Sequence, residues 1–268
     1  MKKLSFNIRL NKEFQMPKLI DLASEISKLF NPQSYFFEYT IDLEKLIYAE
    51  KTFNTFELFK AYYNKENFKF DLLKLEKEDD DRFIGFQQSN GALRVFGTLE
   101  NKDIIYKLLD IVDNQILYAH IHSKLDMILS RSKKYRTWIR RLGEIPSYVK
   151  ILDNPRSMSE RDKYIIDLES MPTHQHLLKT GDRLWFGACA EMYFSKQYYD
   201  YIPEDKWIKL SNCKSNEVLE NGVRKIILYD NFDEFENPVN RKKQWDFRNE
   251  LEIDKVASRL KKTKHNKA

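Results

Sequence analysis

Cysteine is scarce. The 268 residues hold two, Cys189 and Cys213, which stand 24 positions apart and outside any CxxC pair. That spacing builds neither a disulfide framework nor a thiolate metal knuckle, and it suits a reducing compartment such as the cytoplasm. Glycine and proline are equally thin, at seven each. No Gly-rich phosphate loop, dinucleotide fingerprint or Gly-x-Ser-x-Gly elbow occurs, which removes the common ATP, NAD and serine-hydrolase signatures. No Pro/Gly/Ser linker divides the chain. Long apolar runs are missing as well. Leu184 to Ala190 spans seven residues between Arg183 and Glu191, against the roughly twenty needed to cross a bilayer. The N-terminal residues Met1 to Arg9 alternate polar with apolar and give no secretory h-region.

What is present is a core-forming composition: 42% hydrophobic and 32% charged residues, with 18 Phe, 15 Tyr and 4 Trp. This excludes collagen-like and wholly disordered chains. The net charge of +5 is uneven. Residues 1–130 carry 18 Lys and Arg against 20 Asp and Glu, and residues 131–268 carry 28 against 21. The C-terminal half is the better match for an anionic partner.

Period-two alternation in Leu4, Phe6, Ile8 and Leu10 predicts a strand with one buried and one wet face. Pro17 opens a helix that Asn31-Pro32 stops. Tyr35 to Leu43 reads as a strand and Phe53 to Asn64 as a short aromatic helix. Asn90-Gly91, between Arg82–Gln88 and Ala92–Leu99, marks a tight hairpin, and Asn221-Gly222 marks a second. Asp103 to Val112 reads as a helix and Ile116 to His122 as a strand. Leu125 to Leu142 reads as one basic amphipathic helix. Ser147–Leu152 and Tyr164–Leu168 are strand candidates, while Leu184–Phe194 suits either a buried strand or a buried helix. Asn237-Pro238 is an N-cap and N1 pair opening a helix that reaches about Leu260. The acidic run Glu76 to Asp81 reads as a solvated loop. The order of elements and both hairpins predict an α+β fold, with helices packed on a mixed or mainly antiparallel sheet. A single domain over 1–260 is expected, with a soft boundary near 143–155 and a basic flexible tail at 261–268.

Four of the five histidines form His120-x-His122 and His174-x-His176. On a strand, positions i and i+2 share a face, so each pair offers two imidazoles to one side. Together they would make a four-nitrogen metal site of a hydrolase, the rival to ordinary surface or hydrogen-bonding histidines. Cys189 has apolar flanks, which raise a thiol's pKa and make it inert. No catalytic group, cofactor or metal is assigned.

The stretch Arg131 to Arg141 holds six basic residues and no acid, with Tyr135 and Trp138 interleaved. On one helix, Lys133, Lys134, Arg136, Arg140 and Arg141 cover the outer surface, and Trp138 joins an inward or partner-facing stripe. Lys133, Lys134, Arg136, Trp138, Arg140 and Arg141 are therefore the candidate partner-binding residues. A solvated helix face, a grip on an acidic protein and a grip on nucleic-acid phosphates all remain open.

In the C-terminal third, Asp182-Arg183-Leu184-Trp185-Phe186-Gly187 is followed by Tyr199-Asp200-Tyr201-Ile202-Pro203 and the hairpin Asn221 to Leu228. Asn240-Arg241, Gln244, Phe247-Arg248 and Leu251 to Asp254 come next. This order resembles the immunity proteins of bacterial polymorphic toxin systems, the group that includes the immunity protein 52 family. The resemblance covers about 90 residues and rests on apolar and structural positions. It implies a cytoplasmic, non-enzymatic protein that binds a cognate toxin domain through aromatic and arginine anchors. The basic balance then implies an acidic or non-nuclease toxin, or one met by the acidic N-terminal half.

Overall fold

The computed structural model describes residues 3–11, 17–42, 47–64, 69–77, 81–89, 92–155, 157, 159, 162–177 and 184–265. The first part of the chain runs β1 (Leu4–Leu10), α1 (Pro17–Phe30), β2 (Ser34–Asp42), β3 (Ile47–Phe53), α2 (Phe56–Tyr63), β4 (Lys69–Glu76), β5 (Phe83–Ser89), β6 (Ala92–Leu99), α3 (Lys102–Ile111) and β7 (Ile116–Ser123). The remainder runs α4 (Lys124–Arg131), α5 (Tyr135–Leu142), β8 (Ile151–Asp153), β9 (Tyr164–Ile166), β10 (His176–Leu177), β11 (Trp185–Phe186), β12 (Glu191–Phe194), α6 (Glu204–Ile208), β13 (Ser215–Val218), β14 (Arg224–Ile227), α7 (Pro238–Glu250) and α8 (Ile253–His265).

Ten strands form one sheet in the order β13-β14-β12-β7-β1-β6-β5-β4-β2-β3. Every neighbouring pair in it is antiparallel. The α+β expectation holds. Strands from both halves of the chain share this sheet. Two short hairpins, β8–β9 and β10–β11, stand outside it.

The register sorts side chains into two faces. Phe37, Leu73, Phe86, Val95, Ile8, Ala119 and Tyr193 lie in one row across the sheet. All are buried, on the face that α1, α2 and α3 cover. Leu72, Gln87, Arg94, Arg9, Tyr118 and Phe194 lie in a row on the opposite face, beside Gly85, Phe96, Asn7, His120 and Met192. The β7–β12 end of this second face is closed by a C-terminal aromatic core. Trp207, Tyr198 and Phe247 pack around Phe194. The Tyr198 hydroxyl donates to the Trp185 carbonyl at 2.8 Å. Gly187 is required here, since a Cβ would meet the Trp185 ring at 2.7 Å.

α4 is tied to α7 through the interior. Arg241 Nη2 donates to Asp126 Oδ1 at 3.0 Å and to Glu236 Oε1 at 2.6 Å, and its Nη1 donates to Gln244 Oε1 at 2.8 Å. Arg248 grips Asp254 with two hydrogen bonds of 2.8 and 2.5 Å. Isolated, any of these buried charges would be expensive; paired and hydrogen-bonded, they fix where the helices sit.

Several sequence expectations need correction. The Leu125–Leu142 helix is two helices. Between them Ser132 and Lys134 are extended. Lys133 O accepts from Ile166 N at 2.9 Å, and Lys134 bridges to Ile165. The Trp138 indole N–H claims the Ser132 carbonyl at 2.9 Å. The Leu184–Phe194 run is two short strands joined by the irregular segment Gly187–Ala190. The helix from Asn237, capped as expected by its side chain, breaks at Glu252, whose φ is +52°. It resumes as α8 and runs on to His265, past Leu260. The wet face of β1 is absent: Ser5, Asn7 and Arg9 are all buried. β3 and β4 were not anticipated. Asn90 and Gly91 lie outside the described residues, but Ser89 pairs with Ala92, so two residues join those strands. The second hairpin has a three-residue loop. Leu219 N bonds Val223 O at 2.9 Å, and Gly222 alone takes positive φ.

Candidate functional site

On the polar face, where the C-terminal aromatic core stops, a cavity of about 750 Å³ opens over β1, β6 and β7. Its floor carries Ser5 and Asn7 from β1, Arg94, Phe96 and Thr98 from β6, and His120 and His122 from β7. Lys124, Met127 and Arg131 of α4 form one wall. Glu76, Lys77, Asp81, Arg82 and Phe83, around the β4–β5 connection, form the other. These groups come together because α4 turns back directly after β7 and the register sets odd-numbered β1 residues against even-numbered β7 residues.

Among the described residues, five cations and two carboxylates line this space. Both carboxylates lie at the β4–β5 wall. Asp81 is engaged by Lys3 and Lys124, and Arg82 reaches Glu100 at 3.4 Å. Arg94 is held by neutral amides instead: Nε donates to Asn7 Oδ1 at 3.0 Å and Nη1 to Gln87 Oε1 at 3.4 Å. Its guanidinium lies 4.4 Å from the centre of the Phe96 ring. That ring in turn lies flat over Gly85, where a Cβ would come within 2.8 Å of it.

His120 is 1% exposed. Its ring stacks on Trp185 at 4.3 Å between centroids, yet neither ring nitrogen has a hydrogen-bond partner among the described residues. Burial, then His122, Arg131 and Arg94, hold it neutral, far below the ordinary imidazole pKa. His122 is lowered to about 3 by burial and by Arg131, and its Nδ1 lies 3.8 Å from Cys189 Sγ. Burial pushes the Cys189 thiol well up. The pair is a neutral thiol beside a neutral imidazole, the opposite of the thiolate–imidazolium state a cysteine nucleophile needs.

The second histidine pair is occupied elsewhere. His174 and His176 meet edge to face at 4.8 Å. His176 Nε2 lies 2.7 Å from Asp254 Oδ1 and 3.0 Å from Arg248 Nη2. Arg248 Nη1 donates to the His174 carbonyl at 2.6 Å. This cluster fastens β10 to α7 and α8. Among the described residues no three His, Cys, Asp or Glu side chains gather where they could hold a metal. The four-nitrogen arrangement of the rival sequence reading is not formed there.

The expected partner-binding set divides. Trp138 is fully buried and belongs to the core. It cannot anchor a partner, because its ring and its N–H are both spent on seating α5. Lys133, Lys134, Arg136 and Arg140 are exposed. Arg141, also exposed, turns to the flank near Leu125, Ile128 and Phe235. Beside the outer face stands the β8–β9 hairpin, reached through a Tyr135–Tyr164 ring contact at 5.8 Å. The hairpin exposes Ile151, Leu152 and Tyr164.

Of the cavity's arginines, Arg82 and Arg94 were not singled out from the sequence, and Arg131 stood out only as the start of the basic stretch. The available signal was polar period-two spacing in both Ser5-x-Asn7-x-Arg9 and His120-x-His122. That the two strands are neighbours is information the local spacing does not contain.

The chain matches no family model, and no curated protein or solved structure shows significant similarity to it. The residues behind the resemblance to immunity proteins are mostly interior. Trp185 and Phe186 are buried, Arg241 binds Asp126, and Arg248 binds Asp254. Asp182 and Arg183 of that motif lie outside the described residues.

Proposed function

We propose that this chain is a non-enzymatic binding protein that offers the outer face of α5 and the β8–β9 hairpin to an acidic protein, a bacterial toxin domain in the reading that the C-terminal resemblance favours. One observation carries it. Lys133, Lys134, Arg136 and Arg140 are exposed with no carboxylate partner among the described residues, next to exposed Ile151, Leu152 and Tyr164. Unpaired cations steer an acidic surface inward, and the apolar side chains supply the area that is desolvated on contact. Trp138 seats α5 on the body beneath it, so docking orders the side chains of this face and not the helix backbone.

The test is co-expression with the protein encoded by the adjacent open reading frame. A stable complex is expected, weakened about 100-fold or more when Lys133, Arg136 and Arg140 are all changed to Glu, since each buried or near-contact charge pair is worth 1 kcal/mol or above. No complex, or one indifferent to the triple change, overturns the proposal. The same exposed cations, Lys133, Lys134, Arg136 and Arg140, support a second reading, nucleic-acid binding. It predicts DNA or RNA affinity that falls steeply with salt, with a slope set by the number of phosphates neutralised.

A further inference from the structure

We propose that the cavity on the polar face of the sheet is a binding site for a small ring-bearing organic phosphate, with the phosphate taken between Arg94 and Arg131 and His120 meeting its hydrogen-bonding groups. This site is separate from the α5 face and does not depend on what binds there.

Three independent features point to such a ligand, and the first of them calls for an anion. Arg94 is fixed by two amides and one ring, so its charge is oriented but not neutralised. Arg131, on the α4 wall, has no carboxylate partner among the described residues. Arg9 is buried on the same face, directly across from Arg94. Two guanidinium groups, Arg94 and Arg131, with no carboxylate partner among the described residues are unfavourable in a partly desolvated space, and a doubly charged phosphate relieves them through paired N–H forks. Consistent with this, burial first, and then Arg131 and Arg9, draw Arg94 below its ordinary pKa against an opposing effect of Tyr118.

His120 adds the second feature. A buried polar group without partners is costly to the fold. Native proteins rarely leave one so unless a water or a ligand completes it. Here the neutral ring is locked face-on by Trp185, so it presents one N–H donor and one lone pair to whatever fills the space.

Size supplies the third. About 750 Å³ is far more than an inorganic ion needs, and it falls within the roughly 300–1,000 Å³ of small-molecule sites. Phe83 and Phe96 line the same space and give a planar group an apolar surface.

Titration calorimetry on the full chain tests the site, with adenosine 5′-monophosphate, adenosine and inorganic phosphate as separate probes. The monophosphate is expected to bind saturably with a dissociation constant below about 1 mM, and at least about tenfold more tightly than either fragment. Arg131→Gln, which removes a cation with no carboxylate partner among the described residues, is expected to weaken the monophosphate about tenfold or more, the loss of one charged hydrogen-bonding fork. His120→Phe, which keeps the stack on Trp185, should weaken it too. Absence of saturable monophosphate binding overturns the proposal. So does equal affinity for phosphate or adenosine alone, or an Arg131→Gln variant that binds as well as the parent.

Discussion

The outer face of α5 and the cavity over β1, β6 and β7 are built from similar residues, basic side chains interleaved with aromatics, and they differ in almost every physical respect. On α5 the cations stand in water and the aromatic, Trp138, is inside. In the cavity Arg94 is propped on amides and a ring, and two imidazoles are buried beside it. Exposed charges contribute little to folding and are free to be spent on a partner. Enclosed ones burden the fold until a counter-charge arrives. A basic cluster therefore says different things about function depending on which side of the surface it occupies. The same contrast sets the size of each mutational effect.

The largest effect belongs to the underside of α5. Trp138 is among the biggest fully buried side chains and its indole N–H holds the break between α4 and α5. Trp138→Ala is expected to lower unfolding free energy by about 3–5 kcal/mol, the range for deleting a large buried side chain. Urea denaturation measures it. A loss below about 1 kcal/mol would mean that α5 is not fixed to the body, and the contrast between its two sides would collapse.

Next in size is the acid response of the cavity. His120 and His122 have folded-state pKa values below the ordinary 6.5, the first well below and the second at about 3, in both cases mainly through burial. Above pH 6.5 both folded and unfolded chains hold them neutral, so stability is unaffected. Below it the unfolded chain takes up protons that the folded chain refuses. Stability then falls by about 1.4 kcal/mol per pH unit for each imidazole, roughly 2 kcal/mol each by pH 5. His174, lowered to about 4 chiefly by burial, follows a similar slope over this window and levels off near pH 4. No histidine lies between residues 123 and 173, so the α5 face adds no imidazole to this response. Denaturation midpoints at pH 7, 6 and 5 should drop steadily, and His120→Phe should flatten the drop. A midpoint constant from pH 7 to 5 would show that these imidazoles are not sealed.

The same distinction governs what the sequence made legible. Features set within a few residues were readable. Asn237 caps α7 as its position before Pro238 suggested, and β5 pairs with β6 across two residues where Asn-Gly stands. Features set by distant partners were not. The period of Leu125 to Leu142 runs unbroken through Ser132–Lys134; what ends the helix there is Trp138's N–H and the β9 backbone. Polar Ser5, Asn7 and Arg9 look solvent-facing in any local window. They are buried because α4 and the strand pairings enclose them. β3 was hidden for the opposite reason: at the sheet edge its side chains are mostly exposed, so its alternation carries little apolar signal. The candidate site suffered most, because adjacency of β1, β6 and β7 is what makes it.

The smallest effect on stability should come from the outer face of α5. Arg136→Glu and Arg140→Glu replace exposed side chains that form no ion pair among the described residues. Each should change unfolding free energy by no more than about 0.5 kcal/mol. The first turn of α5 contains no acid and its last turn holds Arg140 and Arg141, so reversal at 140 sits unfavourably against the helix dipole and reversal at 136 favourably. The pair should therefore split in sign at low salt and converge as salt screens both. A large loss from either variant would show that these cations hold the fold together, and would withdraw them from the role of a free docking face.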